Sequence, residues 1–157
     1  MDVDVRAPEL EYVGTYDAML KPPLVIAGPF GMRQILEILG GEYRAASGER
    51  GDLLTGGGDW ALVGDDGYGR LDVRGQVRMD DGAILYVQYF GLLEMNEAVT
   101  DALSIGTATG FDDHYFRTNP RFEVSDPNYA WLQQGLFVGQ GRVIEGLGVQ
   151  YNVFRVK

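Results

Sequence analysis

From Glu9 onward, apolar and polar residues alternate in short runs separated by glycine and aspartate turns, the period-2 pattern of half-buried β-strands. The alternation is cleanest over Arg70–Met79. Leu71, Val73, Val77 and Met79 fall on one side around Gly75, while Arg70, Asp72, Arg74, Gln76 and Arg78 fall on the other. Leu10–Tyr16 predicts a first strand, and Arg33–Arg44 a second, with a bulge or bend at Gly40-Gly41. Met32, Ile35, Leu36 and Leu39 also fit one face of an amphipathic helix, so this stretch admits both readings. Trp60–Val63 and Arg70–Met79 are joined across Gly64–Gly69, and Asp80-Asp-Gly82 is a hairpin signal leading into Ala83–Leu92. Asn96 suits a helix N-cap, with Met95, Val99, Ala102 and Leu103 at helical spacing behind it, which predicts a short helix or lid near 95–105. Tyr115–Val124 resumes as strand. Asp126-Pro127 reads as an N-cap and first position of one turn, and Gln134–Val143 with Leu147–Val156 makes a final hairpin across Glu145-Gly146.

About eight antiparallel strands must close into a barrel or pack as a sandwich to remove exposed edges. The expected fold is an all-β, single-domain antiparallel barrel spanning residues 9–157, preceded by a flexible acidic N-terminus over residues 1–8. In a barrel that holds a ligand, the Asp72/Arg74 side of the charged strand could line the cavity; in a sandwich it would face solvent.

Composition narrows the chemistry. Thirteen basic against twenty-three acidic residues leave a net charge of −10, which repels nucleic-acid phosphates and anionic membranes, and no Lys/Arg cluster offsets it. The absence of cysteine removes thiolate zinc sites and thiol nucleophiles, and a single histidine, His114, removes any multi-histidine metal site. A metal could be held only through oxygen ligands. The segment Gly56-Gly-Gly58 lacks the Gly-Lys-Ser/Thr of a phosphate loop, and Asp65-Asp66 and Asp80-Asp81 lack the spaced oxygen ligands of a calcium loop. No segment has the apolar length of a signal peptide or membrane helix, so the expected location is cytoplasmic and the expected partner a small molecule; homo-oligomerisation is left open.

Several segments together carry a resemblance. They are Gly51-Asp-Leu-Leu54 through Gly56-Gly-Gly-Asp-Trp60, Leu71-Asp-Val-Arg74, Arg78–Ala83 with Tyr86, and Tyr115-Phe-Arg-Thr118 with Pro120-Arg-Phe-Glu123. Asp126-Pro127, Tyr129-Ala-Trp-Leu132 and Phe137-Val-Gly139 complete the set. In this order and spacing the chain resembles the family catalogued as DUF3237 or UPF0311, from about Leu10 onward. The resemblance implies a small β-barrel without a bound cofactor. It also implies cofactor-free chemistry on small polyketide- or aromatic-derived molecules, including closure of an oxygen ring. Gln133 stands where the family usually has asparagine after the tryptophan-leucine pair.

Adding a hydroxyl to a conjugated alkene, or moving a proton within a conjugated ketone, needs a general acid or base and donors for the developing enolate. Asp59 and Glu123 are the candidate catalytic carboxyls, since burial beside Trp60 or Phe122 would raise their pKa. Arg74 and Arg117 are candidate oxyanion donors. Trp60, Tyr86, Tyr129 and Trp131 are candidates for an aromatic pocket wall, with Asp72 and Gln133 as further binding groups. Each also has a structural reading: ion pairs such as Asp72–Arg74 or Arg121–Glu123, and rings that simply pack the core. His114, beside Asp112-Asp113, reads as a solvated loop-edge histidine or a proton shuttle. The expected function is a cofactor-independent cyclase or isomerase acting on a small unsaturated, oxygenated metabolite. The alternatives are a non-catalytic barrel that sequesters such a ligand, or an assembly module.

Overall fold

A computed structural model describes all 157 residues. Its strands are β1 (Leu10–Leu20), β2 (Leu24–Gly28), β3 (Gly31–Ala45), β4 (Arg50–Leu53), β5 (Gly58–Val63), β6 (Tyr68–Met79) and β7 (Ile84–Glu94). After helix α1 (Glu97–Ile105) come β8 (Phe116–Thr118), β9 (Arg121–Val124), a 3-10 helix over Pro127–Gln133, β10 (Leu136–Ile144) and β11 (Gly148–Val156). All pairings are antiparallel. Following the ladders from β6 through β5, β3, β1, β11, β10, β8 and β7 returns to β6, so the sheet closes into an eight-strand barrel.

Two seams of the ring are shared by short strands. Between β3 and β6, β5 pairs with the Met32–Glu37 part of β3, and β4 with the Gly41–Arg44 part. On the other side, β7 pairs with β8 at Gly91–Leu93 and with β9 at Leu85–Gln88. The Tyr115–Val124 segment is thus two strands rather than one, because Pro120, which has no N–H, follows Asn119 at the break. Val124 at the end of β9 donates its N–H to Gln133 Oε1 at 3.0 Å. The 3-10 helix thereby satisfies a strand edge that the ring leaves open.

The segment open to two readings at 33–44 is a strand. It pairs with β1, β2, β4 and β5, and the ladder shifts where Met19 and Leu20 face Gly40 and Ile38, so the glycine pair does mark an irregularity. The strand predicted to end at Tyr16 runs on to Leu20, and the proline-rich stretch after it contains β2, which pairs only with β3. Gly41 sits where β1 and β3 cross most closely: a Cβ there would overlap the carbonyl oxygen of Asp17. Asn96 caps α1 by accepting from Val99 N, and Asp126 caps the 3-10 helix by accepting from Asn128 N, both as expected.

One expectation about facing is overturned. On β6 the buried positions are Gly69, Leu71, Val73, Gly75, Val77 and Met79, whereas Arg70, Arg74 and Arg78 are exposed and Asp72 half-buried. The Asp72/Arg74 side lies outside the barrel. A closed interior would have to desolvate three guanidinium groups that water solvates without cost outside, while the apolar side gains from leaving water. The core is accordingly aliphatic and aromatic, and no helix is long and apolar enough to cross a membrane.

Candidate active site

Four rings from four strands meet inside the barrel. Tyr16 on β1, Tyr89 on β7, Tyr151 on β11 and Phe116 on β8 are all buried. Tyr151 lies 4.9 Å from Tyr16, 5.4 Å from Tyr89 and 5.2 Å from Phe116 between ring centroids. This aromatic layer divides the interior. On one side is a small, wholly apolar space bounded by Tyr16, Tyr43, Leu53, Val77, Phe122 and Leu132. On the other is a larger cavity, about 660 Å³ between its lining atoms with the mouth included. Leu71, Val73, Tyr89, Phe116 and Tyr151 are among its walls, Met95 and Leu103 from the α1 region lie over it, and Asp59 is its one ionisable carboxyl.

Asp59 reaches this position because β5 begins at Gly58, immediately after Gly57. A Cβ at Gly57 would collide with the backbone of Arg74, so only glycine lets β5 approach β6 this closely. Alternation then turns Asp59 and Ala61 inward and Trp60 outward. The Asp59 side chain is 8% exposed; its Oδ1 accepts from Asp72 N at 3.0 Å, substituting for a missing ladder bond, and Oδ2 makes no hydrogen bond within the protein. Burial pushes the carboxyl pKa up to about 7, with nearby Asp72 adding to the rise; the Asp72 N–H and the more distant Arg33 only partly offset this. Desolvation likewise holds the Tyr16, Tyr89 and Tyr151 phenols above their ordinary range, and Asp59 contributes to each. The interior thus holds a carboxyl that exchanges its proton near neutral pH among phenols that keep theirs. A carboxyl and phenols together can move a proton and donate hydrogen bonds to a developing oxyanion.

The other expected site residues do not join Asp59. Glu123 is exposed on β9, paired in register with Tyr86, and both border a shallow outer groove with Gln133. Gln133 itself is committed to Val124 N. Trp60 is outside and 42% exposed. Arg74 and Asp72 are on the outer face, as described, and form no ion pair with each other. Arg117 stacks over Tyr115 at 5.2 Å on the outer surface. Tyr129 is buried at the other end of the barrel, donating to Asp81 Oδ2 at 2.6 Å, and Trp131 packs beside Phe137 at 6.0 Å. These last two have their structural reading. His114 is not the solvated loop histidine expected. It is 8% exposed, with Nε2 2.7 Å from Thr109 Oγ1, which also accepts from Val143 N, and burial lowers its pKa. It packs against Phe116 without lining the cavity, and so pins the segment after α1.

Tyr16, Tyr89 and Tyr151 were missed. Tyr89 shares the inward parity of Leu85 and Val87, a signal available from alternation alone, but nothing local says that Tyr16 and Tyr151 meet it. No cluster of three or more His, Asp or Glu side chains is placed to hold a metal ion.

A family model described as "Protein of unknown function (DUF3237)" matches residues 8–156. A UPF0311 protein of Rhodopseudomonas palustris is 36% identical over 83% of this chain and 86% of its own length. The crystal structure of that conserved protein of unknown function superposes with a TM-score of 0.88 at 32% identity, covering 98% of this chain and 100% of the other. PR-toxin biosynthesis cluster protein 7 of Penicillium roqueforti is 29% identical over 64% of this chain and 56% of its own length. An enzyme from Penicillium herquei shares the fold, with a TM-score of 0.73 at 16% identity over the whole of both chains.

Proposed function

Because the chain belongs to the DUF3237 family, and the family's description names no activity, its function has to be argued from the site, and we propose that it is a cofactor-independent cyclase or isomerase. The substrate is a small, uncharged, unsaturated oxygenated molecule held in the interior cavity. The observation that carries this reading is Asp59: a carboxyl enclosed by apolar walls, with no cation lining the cavity beside it, and titrating at about 7. A carboxyl used only for structure would be expected to have an ion-pair or multiple hydrogen-bond partners; this one has a single backbone N–H. The relative named for a toxin-biosynthesis cluster and the enzyme that shares the fold support a place in the metabolism of such molecules.

In the proposed reaction, ionised Asp59 takes the proton from an internal hydroxyl as its oxygen bonds to the β-carbon of an enone. The π electrons shift onto the carbonyl oxygen, where the Tyr89 or Tyr151 phenol donates a hydrogen bond. Asp59 then returns the proton to the α-carbon, so the reaction is an isomerisation with no oxidant, reductant or leaving group. The absence of an arginine or lysine on the cavity wall disfavours an anionic substrate, which would be desolvated without a partner.

The test uses 2′-hydroxychalcone, whose closure to flavanone is this reaction in its simplest form and is followed by absorbance. The wild-type protein is expected to accelerate closure with a rate that rises through pH 7. Asp59→Asn should lose about 10²–10⁴-fold in kcat, and Glu123→Gln should keep full activity. Tight binding with the chalcone returned unchanged would replace catalysis by sequestration.

A further inference from the structure

The interior cavity does not end at its apolar walls. A second basin lies outside it at the barrel mouth, bounded by Pro22 and Pro23 after β1, by Leu103–Gly106 at the end of α1, and by Gly146-Leu147 between β10 and β11. Gln34, Leu36 and Leu103 line both spaces, so they form the neck between them. The three loops are tied together at the backbone: Leu20 N donates to Leu147 O at 2.9 Å, and Gly146 N to Gly106 O at 3.0 Å. Leu147 has φ 63°, a left-handed conformation that costs a leucine energy and is held here by those ties. The basin is therefore a built feature of the fold.

Its chemistry differs from that of the interior. No residue lining it is charged, and the two cations adjacent to it in sequence are engaged elsewhere, Lys21 with Glu37 at 3.5 Å and Arg33 with the Trp60 carbonyl oxygen at 2.8 Å. The last turn of α1 contributes no basic side chain, only the carbonyl end of the helix, which disfavours anions. At the neck, Gln34 is half-buried on β3, and its carboxamide makes no hydrogen bond within the protein. It is the only amide on the wall of either space, at the point where one opens to the other.

We propose that the substrate spans both compartments: its reacting part lies against Asp59, an uncharged extension occupies the outer basin, and Gln34 bonds a carbonyl or hydroxyl oxygen between the two. This rests on the interior site proposed above and narrows its substrate class to elongated, uncharged molecules with a polar atom at mid-length. Small fragments confined to the interior would use only part of the site. Gln34 is a specificity residue here and takes no part in proton transfer.

Two fluorescent probes test it, 2-naphthol and 6-hexanoyl-2-naphthol, which share a phenol head and differ by a ketone-bearing chain. Fluorescence titration of the full chain is expected to give at least about tenfold tighter binding of the extended probe. Gln34→Leu should remove about that factor for the extended probe and leave 2-naphthol within about twofold. Ile105→Trp, at a site that is mostly exposed and so tolerant of substitution, should obstruct the basin with the same selectivity. Equal affinities of the two probes for the wild type, or equal losses in Gln34→Leu, would overturn the two-compartment site while leaving the interior one intact. The interior reading is checked separately by the 2-naphthol affinity, which should change near pH 7 in the wild type and not in Asp59→Asn. If 2-naphthol does not bind, or its pH dependence survives Asp59→Asn, both proposals fall.

Discussion

Asp59→Asn is expected to make the protein more stable at pH 8 while removing its activity. In the folded chain Asp59 holds its proton up to about pH 7, whereas in the unfolded chain it releases it near the ordinary value of 3.8. Between these values the native state binds more protons than the unfolded state, so stability falls as pH rises. The contribution is fully present below pH 3.8 and is lost as pH climbs through 7. At pH 8 the carboxylate is ionised inside an apolar cavity, at a cost of up to about 4 kcal/mol. Asparagine keeps an oxygen for the Asp72 N–H and carries no charge, so the variant escapes that cost. Urea unfolding at pH 5 and pH 8 should show the variant's advantage growing with pH; equal stability of variant and wild type at both values would mean that Asp59 is not the desolvated group described. A substitution that stabilises and inactivates together marks a residue kept for chemistry at the expense of stability.

Gly41→Ala is expected to be the most damaging single-methyl change in the barrel. The added Cβ would overlap Asp17 O and lie 2.8 Å from the Asp17 carbonyl carbon, and neither is the end of a flexible side chain that can swing away. Relief requires β1 and β3 to separate where the ladder already shifts between Met19 and Leu20. The cost should exceed ordinary overpacking, at about 3 kcal/mol or more, which for a chain of this size lowers Tm by about 6–12 °C. Gly48→Ala is a control: a Cβ there meets nothing within 4 Å, so its effect is confined to backbone strain at φ 106°. A Tm for Gly41→Ala within about 2 °C of wild type would contradict the close crossing of β1 and β3.

The strands were legible because alternation is local: a half-buried strand writes its two sides into consecutive residues, as β6 and β7 do. Helix α1 and the 3-10 helix were legible through Asn96 and Asp126, whose side chains act within three residues. β2 was hidden because all five of its residues are exposed, so there is no alternation to read, and prolines flank it. Asp59 could be picked out because a glycine run beside a carboxylate is also local chemistry. The facing of Asp72 and Arg74 could not, since alternation separates two sides of a strand without saying which one the ring encloses. The expectation of a polar-lined cavity chose the wrong side. The desolvation cost of Arg70, Arg74 and Arg78 argued for the other choice from the start. The meeting of Tyr16, Tyr89 and Tyr151 was beyond reach for a different reason: the inward parity of Tyr89 is local, but the three rings lie on β1, β7 and β11 and come together only when the ring closes.

That closure also sets an order of events during synthesis on the ribosome. β1 pairs along one side with β3, which emerges soon after it, but along the other with β11. Thr15 on β1 donates to Asn152 on β11, 137 residues later. At ordinary elongation rates β1 waits on the order of 10 s with that edge unpaired. During this interval neither the wall behind Tyr16 nor the burial that raises the Asp59 pKa is complete. The nascent chain therefore presents an open sheet edge to any neighbouring strand, and protection of that edge by a chaperone would act before the cavity exists.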